Sequence, residues 1–298
     1  MTAASQVSMN TVVSMRIVRE SEPADAVEIG SPAEALARAF GWFDEVESRC
    51  SRFDPASELR RLCDRAMAEP VEASPLLFEA VHFAVLLARD TGGAFDPTIG
   101  YRMAANGFNR EHRTGAIAPA DGSSAASYRD IELDAARRTI RLHRPLTLDL
   151  GAVAKGLAID LAARELRPFV DFAIDAGGDL YLGGLGEHGG AWSIGIRHPH
   201  QPDRLIARVS ASNQAVCTSG TYERGQHLLD PRTGDRAHSL ASATVIAPNA
   251  MLGDALATAA FVLGPEAGLA LLERCGVEGL LITSELTRHQ TGGLALAA

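Results

Sequence analysis

At 298 residues, with 46% hydrophobic and 22% charged residues, the chain can bury a large core. That composition excludes a disordered polymer and suits one big domain or two intimate lobes. A formal charge of −9 argues against nucleic-acid binding, which needs a basic patch to neutralise phosphates. It does not exclude a small anionic ligand, because one local lysine or metal ion outweighs a distant field.

In chain order, Met1 to Glu20 carry no basic start followed by a continuous apolar run, and no stretch reaches membrane-spanning length. The expectation is a cytoplasmic protein with no integral membrane segment, or an extracytoplasmic one if a leader is removed. Residues 11–18 predict a strand. Ser31-Pro-Ala-Glu34 has the form of a capping box with proline at the first helical position. Leu36, Phe40, Phe43 and Val46 follow at helical spacing, which predicts an amphipathic helix over 32–49. Ser74-Pro75 opens a second helix, ended by Thr91-Gly-Gly93.

Residues 100–127, rich in Gly, Ala, Asn and charge, are expected to cover a surface or a ligand. Arg138–His143 and Pro145–Leu150 predict short strands, and a helix is predicted over 152–166. Strands are expected near 170–174, 179–182, 191–197, 204–210 and 241–247. A helix over 250–262, stopped by Gly264-Pro265, and a short one over 266–274 complete the pattern. The order of elements points to an α+β fold rather than regular βαβ alternation. Cys50, Cys63, Cys217 and Cys275 form no Cys-x-x-Cys pair and are expected as buried free thiols of a reducing compartment.

Several segments can carry chemistry. Asp149-Leu-Gly-Ala-Val-Ala-Lys-Gly156 marks a turn from extended chain into a helix, whose first N–H groups lack partners and suit a phosphate. Asp149 either orients a ligand or caps the helix. Lys155 either lies over a phosphate or extends into solvent. Asp254 and Thr258, four apart on one helix, share a face and offer oxygen donors of the kind magnesium takes, or they form a plain polar edge. Asp175-Ala-Gly-Gly-Asp179 is a sharp turn that either admits a close neighbour or closes a hairpin. Thr218-Ser-Gly-Thr221 lies in a turn-rich stretch, and His227 precedes an acid, Asp230. Phe95-Asp-Pro-Thr98 alone is turn chemistry.

Read together and in order, these segments resemble the FAD:protein FMN transferases, once described as thiamine-biosynthesis lipoproteins. Met9-Asn-Thr-Val-Val-Ser14, Ser51-Arg-Phe-Asp-Pro-Ala-Ser57, Trp192-Ser-Ile-Gly195 and His227-Leu-Leu-Asp-Pro-Arg-Thr-Gly234 belong to the same resemblance, which covers nearly the whole chain. It implies one α+β domain over 9–290 with two closely packed lobes and the nucleotide between them, and flexible termini at 1–8 and 291–298. It implies FAD as substrate and Mg2+. The implied reaction passes FMN to a threonine hydroxyl on a target flavoprotein subunit and releases AMP. Hydrolysis of FAD to FMN and AMP, or FAD binding without catalysis, are the alternatives.

By the same resemblance Asp254, Thr258 and the backbone carbonyl of Ala152 hold the metal. Lys155 and Asp149 face the reaction, with His227 as the base and Asp230 or Asp149 as substitutes for it. Asp179, Gly177, Gly178, Thr218 and Ser219 face the nucleotide together with Lys155 and His227, and Met9 lines the flavin pocket. The chain departs from the family pattern at Asn10, where glycine is usual, and at Asp175, where asparagine is usual. It also has Asn106-Gly107-Phe108 where Trp-Gly-Phe is frequent. Asparagine tolerates left-handed backbone angles, so Asn10 is expected to keep the turn.

Overall fold

An eight-stranded antiparallel sheet organises the protein. The structure, a computed structural model, describes residues 1–19, 30–110, 115, 117–118, 121–221 and 228–296. The chain opens with strands β1 (Thr2–Ser8) and β2 (Thr11–Arg19), then helices α1 (Pro32–Cys50) and α2 (Glu58–Arg65). Strand β3 (Val71–Glu72), helices α3 (Pro75–Asp90) and α4 (Gly100–Ala105), and strands β4 (Ile131–Asp134) and β5 (Thr139–Leu142) follow. Helix α5 (Gly151–Leu166) leads into β6 (Asp171–Ala176), β7 (Asp179–Gly183), β8 (Trp192–His198), β9 (Gln201–Ala211) and β10 (Gln214–Gly220). The last elements are β11 (Leu240–Ala247), α6 (Ala250–Leu263), α7 (Pro265–Arg274), β12 (Glu278–Thr283) and β13 (Arg288–Gln290).

The main sheet runs β1-β2-β6-β7-β10-β11-β12-β13, while β3-β5-β4 and β8-β9 form two small sheets. Side chains alternate across a strand, and the burial pattern shows two separate cores. Ile174, Tyr181, Cys217, Val245 and Leu281 join the core under the helices. Their neighbours Ala173, Leu182, Val216, Ile246 and Leu280 join Trp192, Ile196 and Val209 of the β8-β9 hairpin on the other face. The α+β expectation therefore holds as three layers: helices, sheet, hairpin. Among the described residues no helix is long and apolar enough to cross a membrane.

The helix starts form as their sequences dictate. Ser31 accepts the Glu34 N–H while Glu34 accepts the Ser31 N–H at 2.9 Å, completing the capping box. Hydrogen bonds from Trp42 Nε1 and Arg38 Nε, each 3.1 Å, tie α1 to Glu165 of α5 and hold that carboxyl below its ordinary value. A lowered carboxyl stabilises the fold above the unfolded-state pKa and loses that contribution as pH falls through the folded value. Glu165→Gln is therefore expected to flatten the acid limb of a plot of Tm against pH while leaving the alkaline limb unchanged.

The α5–α6 contact depends on a missing side chain. A Cβ on Gly156 would lie 2.5 Å from the Ala250 carbonyl oxygen and 2.6 Å from Met251 Cα. Asp160, one turn on, accepts the N–H groups of Ala250 at 2.7 Å and Met251 at 2.9 Å, so α5 caps the start of α6. Burial nonetheless pushes the Asp160 carboxyl above its ordinary value, against those two donors. Gly156→Ala is expected to destabilise by about 1–3 kcal/mol through overpacking. In urea unfolding the midpoint should fall at constant slope.

Several expectations change. Thr2–Ser8, expected as a flexible end, pairs along its length with β2. Thr291 and Leu294, in the other expected flexible end, are buried. Residues 145–150 form no strand; Thr147 Oγ1 donates to the Asp121 carbonyl at 2.6 Å and the Asp149 N–H to Pro97 at 2.7 Å, so loop bonds replace a ladder. Thr218–Gly220 is not a turn but the end of β10, paired with β11. The cysteines are free, yet only Cys50 and Cys217 are buried; Cys63 is half-buried and Cys275 exposed. Burial pushes the Cys50 thiol up to about 12 and the Cys217 thiol higher still.

Candidate active site

The entry to α5 is held by an ion pair. Arg52 Nε lies 2.8 Å from Asp149 Oδ2, with the Arg52 side chain 6% exposed and that of Asp149 14%. The other Asp149 oxygen accepts the Gly151 N–H at 2.8 Å, and Arg52 Nη2 donates to the Phe108 carbonyl. Asp149, just outside the Leu150 N-cap, thus holds the first helical N–H and is itself locked by a guanidinium. The guanidinium also lies 4.2 Å from the centre of the Phe53 ring.

One turn into α5, Lys155 points inward rather than to solvent. Its ammonium touches Asp179 and lies 3.1 Å from Asp254 Oδ2. Both carboxylates are buried, at 6% and 8% side-chain exposure. A charge in such a place needs a partner of opposite sign, and Lys155 serves two. The pairing brings β7, α5 and α6 to one point. Four residues beyond Asp254, Thr258 shares a 3.0 Å hydrogen bond with Ser219 of β10.

The Ala-Gly-Gly-Asp turn closes a hairpin, one of the two readings its sequence allowed. Gly177 at φ 65° and Gly178 at φ 93° make the two left-handed positions of a tight hairpin between Ala176 and Asp179. Asp175 accepts the Gly178 N–H at 2.9 Å and keeps its charge on the cavity wall. Asp179 Oδ1 accepts the Thr218 N–H at 2.9 Å, and Thr218 and Thr244 hydroxyls pair at 2.9 Å. Asn10 takes φ 61°, the left-handed geometry expected of it.

These groups border a cavity of about 790 Å³ that reaches from the Lys155 cluster to the β8 hairpin. Ligand pockets span about 300–1,000 Å³, so it has room for a dinucleotide. Asp149, Ala152, Lys155, Gly177, Gly178, Asp179, Thr218, Ser219, Asp254 and Thr258 all line it. Met103, from the segment expected to cover a ligand, lines it too. Met9 does not: it sits at the tip of the β1-β2 hairpin, its N–H 3.2 Å from Glu47 Oε2, and packs on the helix-side core. His227 lies outside the described residues. Asp230, its nearest acidic substitute, is clamped by Arg232 through Nε at 2.9 Å and Nη2 at 2.7 Å. Burial opposes its charge, but the Arg232 bonds outweigh that and hold its carboxyl below the ordinary value.

Sequence reasoning gave no role to Arg52, Phe53 or residues 193–197, all of which line the cavity. Arg52 and Phe53 stand in a segment whose similarity was noted. What was missing is the link to Asp149, 97 positions away and visible only in the fold. Asp96, also on the wall, is indeed turn chemistry: it accepts from Thr98 N at 2.9 Å, Thr98 Oγ1 at 2.8 Å and Tyr128 N at 3.0 Å.

The chain is similar to several known proteins along most of its length. The FAD:protein FMN transferase of Treponema pallidum (strain Nichols) is 33% identical over 289 residues, covering 87% of this chain and 80% of that protein. The FAD:protein FMN transferase of Vibrio cholerae is 28% identical over 291 residues, covering 92% and 85%. The solved flavin transferase ApbE from Vibrio cholerae superposes with a TM-score of 0.83 at 25% identity, covering 98% of this chain and 97% of that one. The ApbE protein of Thermotoga maritima gives the same TM-score of 0.83 at 25% identity and the same coverage of 98% and 97%. With its family model matched over residues 9–281, the chain belongs to the ApbE family.

Proposed function

We propose that this enzyme transfers the FMN half of FAD to a threonine hydroxyl of a target flavoprotein, using magnesium and releasing AMP. One observation carries the reading. A half-buried lysine between two buried carboxylates shares the wall of a dinucleotide-sized cavity with a hydroxyl pair. Family membership supports flavin transfer as the reaction class, and the named relatives support a protein as acceptor.

The residues present fit a hard divalent cation. Among the described residues no group of three or more His, Cys, Asp or Glu could hold a metal. The donors at hand are instead the Asp254 carboxylate, the Thr258 hydroxyl and the Ala152 carbonyl on the same cavity wall, a set of oxygens of the kind magnesium prefers. When bound, magnesium supplies Lewis-acid neutralisation of pyrophosphate oxygens.

The chain's own groups do the rest. Lys155 offsets part of the negative charge that Asp179, Asp254 and the pyrophosphate gather at one point. The side-chain-free Gly177-Gly178 turn lets the nucleotide approach the backbone, and Thr218 and Ser219 offer hydroxyls to it. The threonine oxygen of the acceptor forms a bond to the FMN phosphorus as the bond to the AMP oxygen breaks. His227 is assigned to take the threonine proton. Asp149 and Asp230 suit that role less, because arginines already engage both.

The test is to incubate the protein with FAD and a threonine-bearing target, with and without magnesium, and to weigh the target and the released nucleotides. Magnesium-dependent addition of FMN to the target, with AMP released, is the expected result. Free FMN and AMP with an unmodified target would assign FAD hydrolysis instead, and bound FAD without turnover would assign a carrier.

A further inference from the structure

A polar cleft of about 320 Å³ opens beside the main cavity, walled by Gly92-Gly93 after α3, Arg102 of α4, residues 124–129 and Pro231-Arg232. Asp96 and Pro231 line both spaces, so a chain lying in the cleft passes directly to the cavity. In a protein of formal charge −9, the cleft is lined by three arginines, Arg102, Arg129 and Arg232, and a single carboxylate, Asp96.

The charges there are not all cancelled. Arg232 is neutralised by Asp230. Asp96 is buried, its oxygens are used by Thr98 and Tyr128, and burial pushes its carboxyl up. Arg102 is held mainly by the main chain: Nη2 donates to the Ser124 carbonyl at 2.8 Å and Nη1 to the Thr233 carbonyl at 3.4 Å, while its charge also acts on Asp230. Main-chain carbonyls fix a guanidinium in place without removing its charge. Arg129 is exposed and lies 4.6 Å from the centre of the Tyr128 ring; its charge is felt by Asp96 at a distance. An aromatic face orients a cation and likewise leaves its charge whole. Three guanidiniums, Arg102, Arg129 and Arg232, thus face two carboxylates, Asp96 and Asp230, which leaves an excess of positive charge on an open cleft that leads into the reaction cavity.

We propose that this cleft docks an acidic segment of the acceptor polypeptide and so feeds the neighbouring threonine past Asp96 and Pro231 into the cavity. The inference rests on the transferase reading for its occupant. Guanidiniums pair with carboxylates in forked geometry, and exposed pairs of this kind set partner choice and encounter rate more than affinity, with strong dependence on salt.

The test uses the full chain loaded with FAD and fluorescein-labelled threonine peptides that share one sequence but carry acidic, neutral or basic flanks. Binding is read by fluorescence polarisation at low and high salt. The acidic peptide is expected to bind about tenfold more tightly than the neutral one at low salt and to lose that advantage at high salt. Arg129→Glu should abolish the preference, Arg129→Ala should halve it on a logarithmic scale, and Arg102→Gln should weaken it. FAD affinity and thermal unfolding should stay at wild-type values in the Arg129 variants. Equal affinity for the three peptides, or an acidic preference that survives Arg129→Glu combined with Arg102→Gln, would overturn the proposal. So would displacement of the acidic peptide by inorganic phosphate or AMP at matched ionic strength, which would mark a small-anion site. Binding is measured without turnover. Normal transfer with no charge preference counts against the cleft, whereas charge-selective binding with no transfer to any peptide counts against the transferase reading.

Discussion

Asp254→Ala is expected to lower magnesium-dependent FMN transfer by at least about 100-fold at saturating FAD, the order seen when one preorganised charge-stabilising group is lost. Asp254 is buried, touches Lys155 and stands one turn before Thr258, so no other carboxylate on α6 replaces it. The fold should survive, because Lys155 keeps its contact with Asp179. Thermal unfolding without ligands should therefore change little while mass analysis of the target shows almost no added FMN. Asp254→Asn keeps shape and hydrogen bonding but not charge, and it should be nearly as inactive. Wild-type turnover by either variant, with its magnesium dependence intact, would remove Asp254 from the site.

Arg52→Ala is the largest expected loss of stability, about 3 kcal/mol, because it leaves a half-buried carboxylate on the cavity wall without its partner. Asp149 would retain only the Gly151 N–H, and the Phe108 carbonyl would lose its donor. The expected fall in Tm is roughly 10 °C, with FMN transfer reduced in step as the start of α5 loosens. Removing both charges in Arg52→Leu with Asp149→Leu should cost less than the sum of the single changes, which a double-mutant cycle in urea would show. Additive losses would mean that the two side chains are held by something other than each other.

Much of the fold was legible because its signals are local. The capping box at Ser31, proline after Ser74 and glycine after Leu263 each act within a turn of where they stand, and α1, α3 and α6 begin or end there. Strands with a continuous apolar run, such as Phe172-Ala173-Ile174 in β6, were equally plain. Thr2–Ser8 was not: it is short of apolar residues and becomes a strand only because β2 offers it a partner. Thr218-Ser-Gly220 carries turn residues, yet β11 on one side pulls it into the sheet. The site followed the same division. Lys155, Asp179, Asp254 and Thr258 were named from their segments, but sequence spacing left Lys155 equally suited to solvent. Only the approach of α5 to α6 over Gly156 turns it inward. Met9, placed by similarity, sits on a hairpin tip pinned to Glu47 and packs on the helix-side core, a position its local sequence does not reveal.

The separation of Lys155 and Asp254 along the chain is 99 residues. On a ribosome adding about 5–20 residues per second, the lysine emerges roughly 5–20 s before its second acid. During that interval α5 has no α6 to cover Gly156, and Asp160 has no backbone to cap. A nascent chain halted within β11 should bind no FAD and remain open to protease near α5, whereas release of the full chain should close both at once.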